Sequence, residues 1–149
     1  MQVSNSNLET LVSVSELTEV IAFELSVKRI ELISSEPIDI PKQFQVQPNY
    51  HLTTLTRPDG TGFLIRLAVE VSIPVGQLRC EVGAAYKLNT NLDFELTPKV
   101  LIEYSNEVAV MTLLPFLRQH VADLSQRALG FPLLMPIMAR GALRFNAAD

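Results

Sequence analysis

From Phe63 to Ile73 every odd-numbered residue is apolar, and from Leu78 to Leu88 every even-numbered one is, with only a short "PVG" turn between the two runs. Side chains alternate across a strand with period two, so each run is a strand with one apolar face. The opposite positions, among them Arg66, Glu70, Arg79, Glu81 and Lys87, keep the other face wet. So short a connection forces the two strands to pair antiparallel, and the shared apolar face then needs a cover.

The cover is written after Thr97. Leu113, Leu117, Val121, Leu124 and Ala128 recur at helical spacing, Ser105 or Asn106 can cap the start, and Gly130 supplies a stop. Pro115 falls within this stretch, and an interior proline costs about 3 kcal/mol, so a kink or restart is expected there. The segment "FPLLMPI" reads as a loop, and Met138–Phe145 as a short last helix. Ahead of the hairpin, Leu8, Leu11, Val12, Leu17, Val20 and Ile21 space as a helix over residues 7–24. The stretch "FELSVKRIELI" alternates as a strand, but its apolar parity changes between Val27 and Ile30, which implies a β-bulge near Lys28 and Arg29. Residues 34–49 hold Pro37, Pro41 and Pro48 and cross over as an extended loop. Ile38, Ile40, Phe44 and Val46 argue that this loop lies against protein. Tyr50–Thr56 is a short strand closed by the turn "RPDG". Strands first and helices later make the chain α+β, with helices on one face of an antiparallel sheet.

With 149 residues and 48% hydrophobic content, one domain is the default, since domains run to ~50–250 residues. A formal charge of -4 without a Lys/Arg cluster argues against a nucleic-acid surface. The acid-rich start and the later Arg118, Arg127, Arg140 and Arg144 read as charges that solvate the surface. A single cysteine, Cys80, allows no internal disulfide, and "MQVSNSNLETLVSV" lacks the pattern of a signal peptide. No segment is read as the ~20 apolar residues of a membrane helix, so a cytoplasmic, reducing setting is expected.

No catalytic constellation is legible. His51 and His120 stand outside any HExxH spacing, Cys80 lies on the apolar parity of its strand, and "PDGTG" is not followed by Gly-Lys-Ser/Thr. Asp93 and Glu95 read as a loop pair. A non-enzyme without metal or cofactor is expected. What the chain does hold is apolar surplus outside regular elements, in the crossover and in Phe131–Met138. Such methionine-bearing loops can re-pack around varied partners, although pattern alone favours their sealing the core edge.

Three segments, "VKRIEL", "CEVGAAYKL" and "LLPFLRQHVADLSQRALGFPLLMPI", resemble in order and spacing the SecB-type export chaperones, over residues 25–145. The resemblance implies a four-stranded antiparallel sheet with a long kinked helix and a short C-terminal helix packed on one face. An extra N-terminal helix would occupy residues 1–24, ahead of a SecB-like domain at 25–149. It also implies an ATP-independent holdase that keeps unfolded preproteins export-competent, assembled as a dimer of dimers, neither membrane-embedded nor bound to nucleic acid. By similarity Phe131, Leu133, Leu134, Met135 and Ile137 form one wall of a client groove, and Phe44 and Val46 part of the other. Pro115, Phe116 and Arg118 match the family's helix motif, with a structural role near oligomer contacts. Glu81 matches an acid that docks the SecA motor, with Glu36 as an imperfect second. Arg79 replaces an apolar residue, and Ser34 and Ile38 stand where further acids are expected, which weighs against motor docking. The longer N-terminus resembles SecB-like chaperones dedicated to one partner, such as the antitoxin of a toxin–antitoxin system. A structural oligomer that binds no client is the remaining alternative.

Overall fold

A computed structural model describes residues 5–30, 44–45 and 47–146. The elements are helix α1 (Asn5–Val14), strands β1 (Ser15–Arg29), β2 (Phe44–Gln45), β3 (Asn49–Thr56), β4 (Gly62–Ile73) and β5 (Gly76–Leu88), helix α2 (Pro98–Tyr104), a π-helical turn (Ser105–Ala109), helix α3 (Val110–Leu129) and strand β6 (Leu133–Leu134). Four strands form an antiparallel sheet in the order β1-β5-β4-β3, and β2 and β6 form a separate two-stranded parallel sheet. The architecture is α+β, as the alternation and the later helical spacing require.

The hairpin β4–β5 forms the centre of the sheet. Ile65, Leu67, Val69, Cys80, Val82 and Ala84 are fully buried or nearly so on one face, and Leu113, Leu117 and Val121 of α3 close over them. An aromatic trio joins this face to the helix: Phe63 stacks on Tyr86 at 5.0 Å between ring centroids, and Tyr104 meets both edge-on. The Tyr104 hydroxyl and Ser15 Oγ lie 2.9 Å apart, which ties α2 to the start of β1.

The N-terminal helix is shorter than its periodicity predicts. It ends at Val14, and Leu17, Val20 and Ile21 lie on β1. Two bulges explain the false helical spacing. The register against β5 shifts between Leu17 and Glu19 and again between Ala22 and Glu24. The residues paired with the buried even positions of β5 are therefore Leu17, Val20, Ala22, Leu25 and Val27, spaced alternately by three and two. That mean spacing of two and a half mimics an i, i+3, i+4 pattern, but the strand ladder with β5 wins. The bulges thus fall at Thr18 and Phe23, not near Lys28 and Arg29.

The long helix begins earlier than expected. Thr97 is its N-cap, its hydroxyl accepting from the Val100 amide at 3.3 Å, and Pro98 occupies the first turn, where its missing N–H costs nothing. Ser105 and Asn106 are not caps; both are buried in the π turn. The Asn106 amide pairs with the Phe145 backbone in both directions, at 2.9 and 2.8 Å. Helix α3 runs through Pro115, which sits on the exposed side, and the Met111 carbonyl is thereby left without its helical donor. Gly130 ends the helix at φ 87°, a left-handed conformation that glycine adopts without strain. Residues 138–145 do not form the expected last helix; they turn at Ala139–Ala142, with Gly141 at φ 84°.

The continuous helical run Pro98–Leu129 is, by length and composition, apolar enough to cross a membrane, contrary to the sequence expectation. Its apolar stripe, from Leu101 through Leu113 and Leu117 to Val121, is spent against the sheet.

Candidate functional site

The segment after Gly130 returns along α3. Ser125, fully buried, donates to the Val121 carbonyl at 2.6 Å and accepts the Leu133 amide at 2.7 Å. This one hydroxyl fixes the height at which the chain leaves the helix. From there the side chains alternate: Leu133 and Met135 are buried in the core, whereas Leu134 is 44% and Ile137 88% exposed. Phe131 is partly buried against the core. The result is an anchored ledge that presents two large aliphatic side chains outward.

Parallel pairing sets Phe44 opposite Leu133 and Gln45 opposite Leu134. The crossover and the leucine-rich segment, far apart in sequence, are therefore neighbours through their backbones. The side chains of Phe44 and Val46, and all of Glu36, lie outside the described residues. Leu133 and Met135 stand behind the ledge, within the core, whereas Leu134 and Ile137 are exposed. On α3, Pro115 is exposed and Phe116 is 40% exposed, while Arg118 is half-buried.

Arg118 lies within electrostatic reach of Tyr50 on β3. Burial pushes the Tyr50 phenol up, and the Arg118 charge opposes the rise. The Arg118 Nε and the Tyr50 hydroxyl are both buried without a hydrogen-bond partner. The helix motif gives Arg118 away in the sequence; nothing there marks Tyr50 beyond its parity on a short strand.

The opposite face of the sheet is built from charge. Glu81 is only 8% exposed, and its carboxylate accepts from Arg66 Nη2 at 2.7 Å. The Phe23 ring, thrown outward by its bulge, lies 4.0 Å from the Arg66 guanidinium carbon. Arg79 binds Glu70 at 2.6 Å and Glu24 at 3.2 Å. A recess of about 620 Å³ beside this network is walled by Lys28, Glu70 and Arg79 together with Val27, Val71 and Leu78. Glu81 therefore faces its own arginine and not solvent.

His51 is exposed with Nε2 3.7 Å from Glu70, and Cys80 is a buried free thiol pushed up to about 11 by burial. Among the described residues no three His, Cys, Asp or Glu side chains gather as metal ligands would.

No family model matches the chain, and no curated protein matches it. Among solved structures, the chain is similar to the Mycobacterium tuberculosis Rv1957 SecB-like chaperone in complex with a ChAD peptide from the Rv1956 HigA1 antitoxin. The TM-score is 0.70 at 16% identity, covering 91% of this chain and all of that one. A protein of unknown function from Streptococcus agalactiae matches with a TM-score of 0.48 at 11% identity, over 83% of this chain and 97% of that one. Four antiparallel strands, a long helix across one face and a leucine-rich segment returning beside that helix constitute, in this chain, the SecB-like fold.

Proposed function

We propose that the chain is a molecular chaperone that holds unfolded or non-native polypeptides without ATP. The observation that carries this is the fold match along nearly the whole chain to a SecB-like chaperone seen with an antitoxin peptide bound. The local geometry supports it. Leu134 and Ile137 stand exposed on an anchored ledge, and apolar burial at ~25 cal/mol per Å² favours binding without demanding a sequence. The neighbouring two-residue parallel pair leaves backbone groups to which an extended client could add hydrogen bonds. A non-enzymatic, cytoplasmic homo-oligomer goes with this proposal.

The test is light scattering of an aggregation-prone protein during refolding, with no ATP present. Suppression near one oligomer per client is expected, and Leu134→Ser with Ile137→Ser should weaken it without lowering the thermal midpoint. No suppression of any client, with no co-purifying partner, would leave a structural oligomer and overturn the proposal.

Within it, a dedicated client such as an antitoxin is favoured over docking to the SecA motor. The carboxylates of the outer face, Glu24, Glu70 and Glu81, are all ion-paired with Arg66 or Arg79, which compensate two of the three charges, so the acidic surface left for a cationic partner is small. SecA binding by pull-down is expected to be absent; a tight complex would restore the export role.

A further inference from the structure

The N-terminal helix leaves open space beside it. A cleft of about 480 Å³, within the ~300–1,000 Å³ typical of ligand pockets, lies between α1 and the π turn. Leu8, Glu9 and Val12 line it from α1, Glu107 and Val108 from the turn, and Arg140 from the segment that follows the ledge. Leu8 and Val108 are partly buried against the core, and Val12 is left 43% exposed.

Both walls are fixed. Fully buried Leu11 seats α1, and at the end of that helix the Val14 carbonyl accepts from the Asn89 amide at 2.8 Å. Across the cleft, Arg140 Nη2 donates to the Glu107 carbonyl at 2.9 Å, and the Arg144 guanidinium stands 3.7 Å from the Glu107 carboxylate. A cleft formed in advance asks little ordering of its ligand.

Position and charge together indicate the occupant. Arg140 follows Ile137, the most exposed residue of the ledge, by three residues, which span at most ~11 Å, and neither Met138 nor Ala139 between them is buried. A chain lying on the ledge therefore reaches the cleft without crossing the core. The Glu107 carboxylate already faces Arg144, whereas Glu9 has no ion-pair partner among the described residues. The charge left over at the cleft is Glu9's, and its complement is a cation.

We propose that the cleft is a second client subsite, taking a Leu or Phe side chain whose Lys or Arg neighbour is set against Glu9. The helix ahead of the sheet thereby supplies one wall of the client-binding surface. This rests on the chaperone proposal and names which clients that surface selects.

The test titrates the whole chain by fluorescence anisotropy with the labelled peptide Leu-Phe-Leu-Ser-Ser-Ser-Ser-Phe-Lys, whose four serines bridge ledge and cleft, and with counterparts ending Ser-Lys and Phe-Glu. The Phe-Lys peptide is expected to bind about tenfold more tightly than the Ser-Lys one, as burial of most of one aromatic side chain would give. It should bind about threefold more tightly than the Phe-Glu one, a difference that fades at ~1 M salt. Val12→Gln, a change on an exposed helix position, should abolish the gain from Phe while leaving the Ser-Lys peptide within about twofold of its wild-type affinity. Glu9→Gln should remove the preference for Lys. A photoreactive benzophenone in place of the second Phe should crosslink to α1 or the π turn. No gain from Phe, no preference for Lys, a gain that survives Val12→Gln, or crosslinks that avoid both walls would overturn the subsite and leave the chaperone proposal standing. Failure of all three peptides to bind would overturn the two together.

Discussion

Single side chains decide how closely the layers of this protein approach. A Cβ on Gly83 would meet the Phe23 ring at 2.5 Å and Arg66 Cγ at 3.3 Å, so Gly83→Ala should push the ring off the guanidinium. A loss of about 1–2 kcal/mol is expected in urea unfolding, shrinking when Phe23 is replaced by alanine as well. Ser125→Ala should cost about 1–3 kcal/mol, because the buried Leu133 amide loses its acceptor; the same variant should speed hydrogen exchange at Leu133. Cys80 gives a pH dependence of defined sign. Burial, aided by the Glu24 charge, raises the folded thiol to about 11, above the ~8.5 of an unfolded chain. Its stabilisation is therefore full below about pH 8.5 and is lost as pH rises through about 11. Urea midpoints should fall across that window, and less steeply in Cys80→Ala.

At the scale of elements, the two ends of the long helix are fixed by different means. Thr97 and Pro98 start it by local chemistry, whereas Asn106, within the π turn, ties it to the backbone of Phe145. Asn106→Ala should free that backbone, raising exchange at the Phe145 amide by roughly tenfold or more and opening the chain to protease near Arg140. Unchanged exchange would mean that the partly buried Leu143 and Phe145 side chains hold the segment by themselves. The β1 strand makes the complementary point. Its bulges at Thr18 and Phe23 keep one face apolar while turning Phe23 to the other, where it covers the Arg66–Glu81 pair.

For the whole molecule, some of the exposed apolar groups among the described residues lie on a sheet edge and on a helix flank. Leu17 and Leu25 are each 42% exposed on the edge strand β1, and Phe116 is 40% exposed on the outer side of α3. A long open edge strand and an apolar helix flank are surfaces that soluble chains cover. Light scattering coupled to size exclusion should give a multiple of 16.6 kDa, and Phe116→Asp should shift the mass downward. A monomer at micromolar concentration would contradict the assembly expected from the SecB-like resemblance.

The hairpin, the α+β class and the helix stop at Gly130 were legible in the sequence, because each rests on local periodicity or on a glycine that a left-handed cap requires. The segment 15–24 was not, since two bulges convert strand spacing into something indistinguishable from helix until the partner strand supplies the register. Ser105 and Asn106 read as caps because their chemistry suits a helix start; only the position of Phe145, some forty residues on, makes Asn106 an interior group instead. Likewise Glu81 reads as an open acid until the bulge at Phe23 and the pairing of β4 with β5 bring Arg66 onto it. What the sequence determined by itself is whatever neighbours along the chain can enforce. The tertiary structure alone decided the charge pairing on the sheet's outer face and the tie between Asn106 and Phe145, because both depend on segments whose separation in sequence carries no signal of their contact.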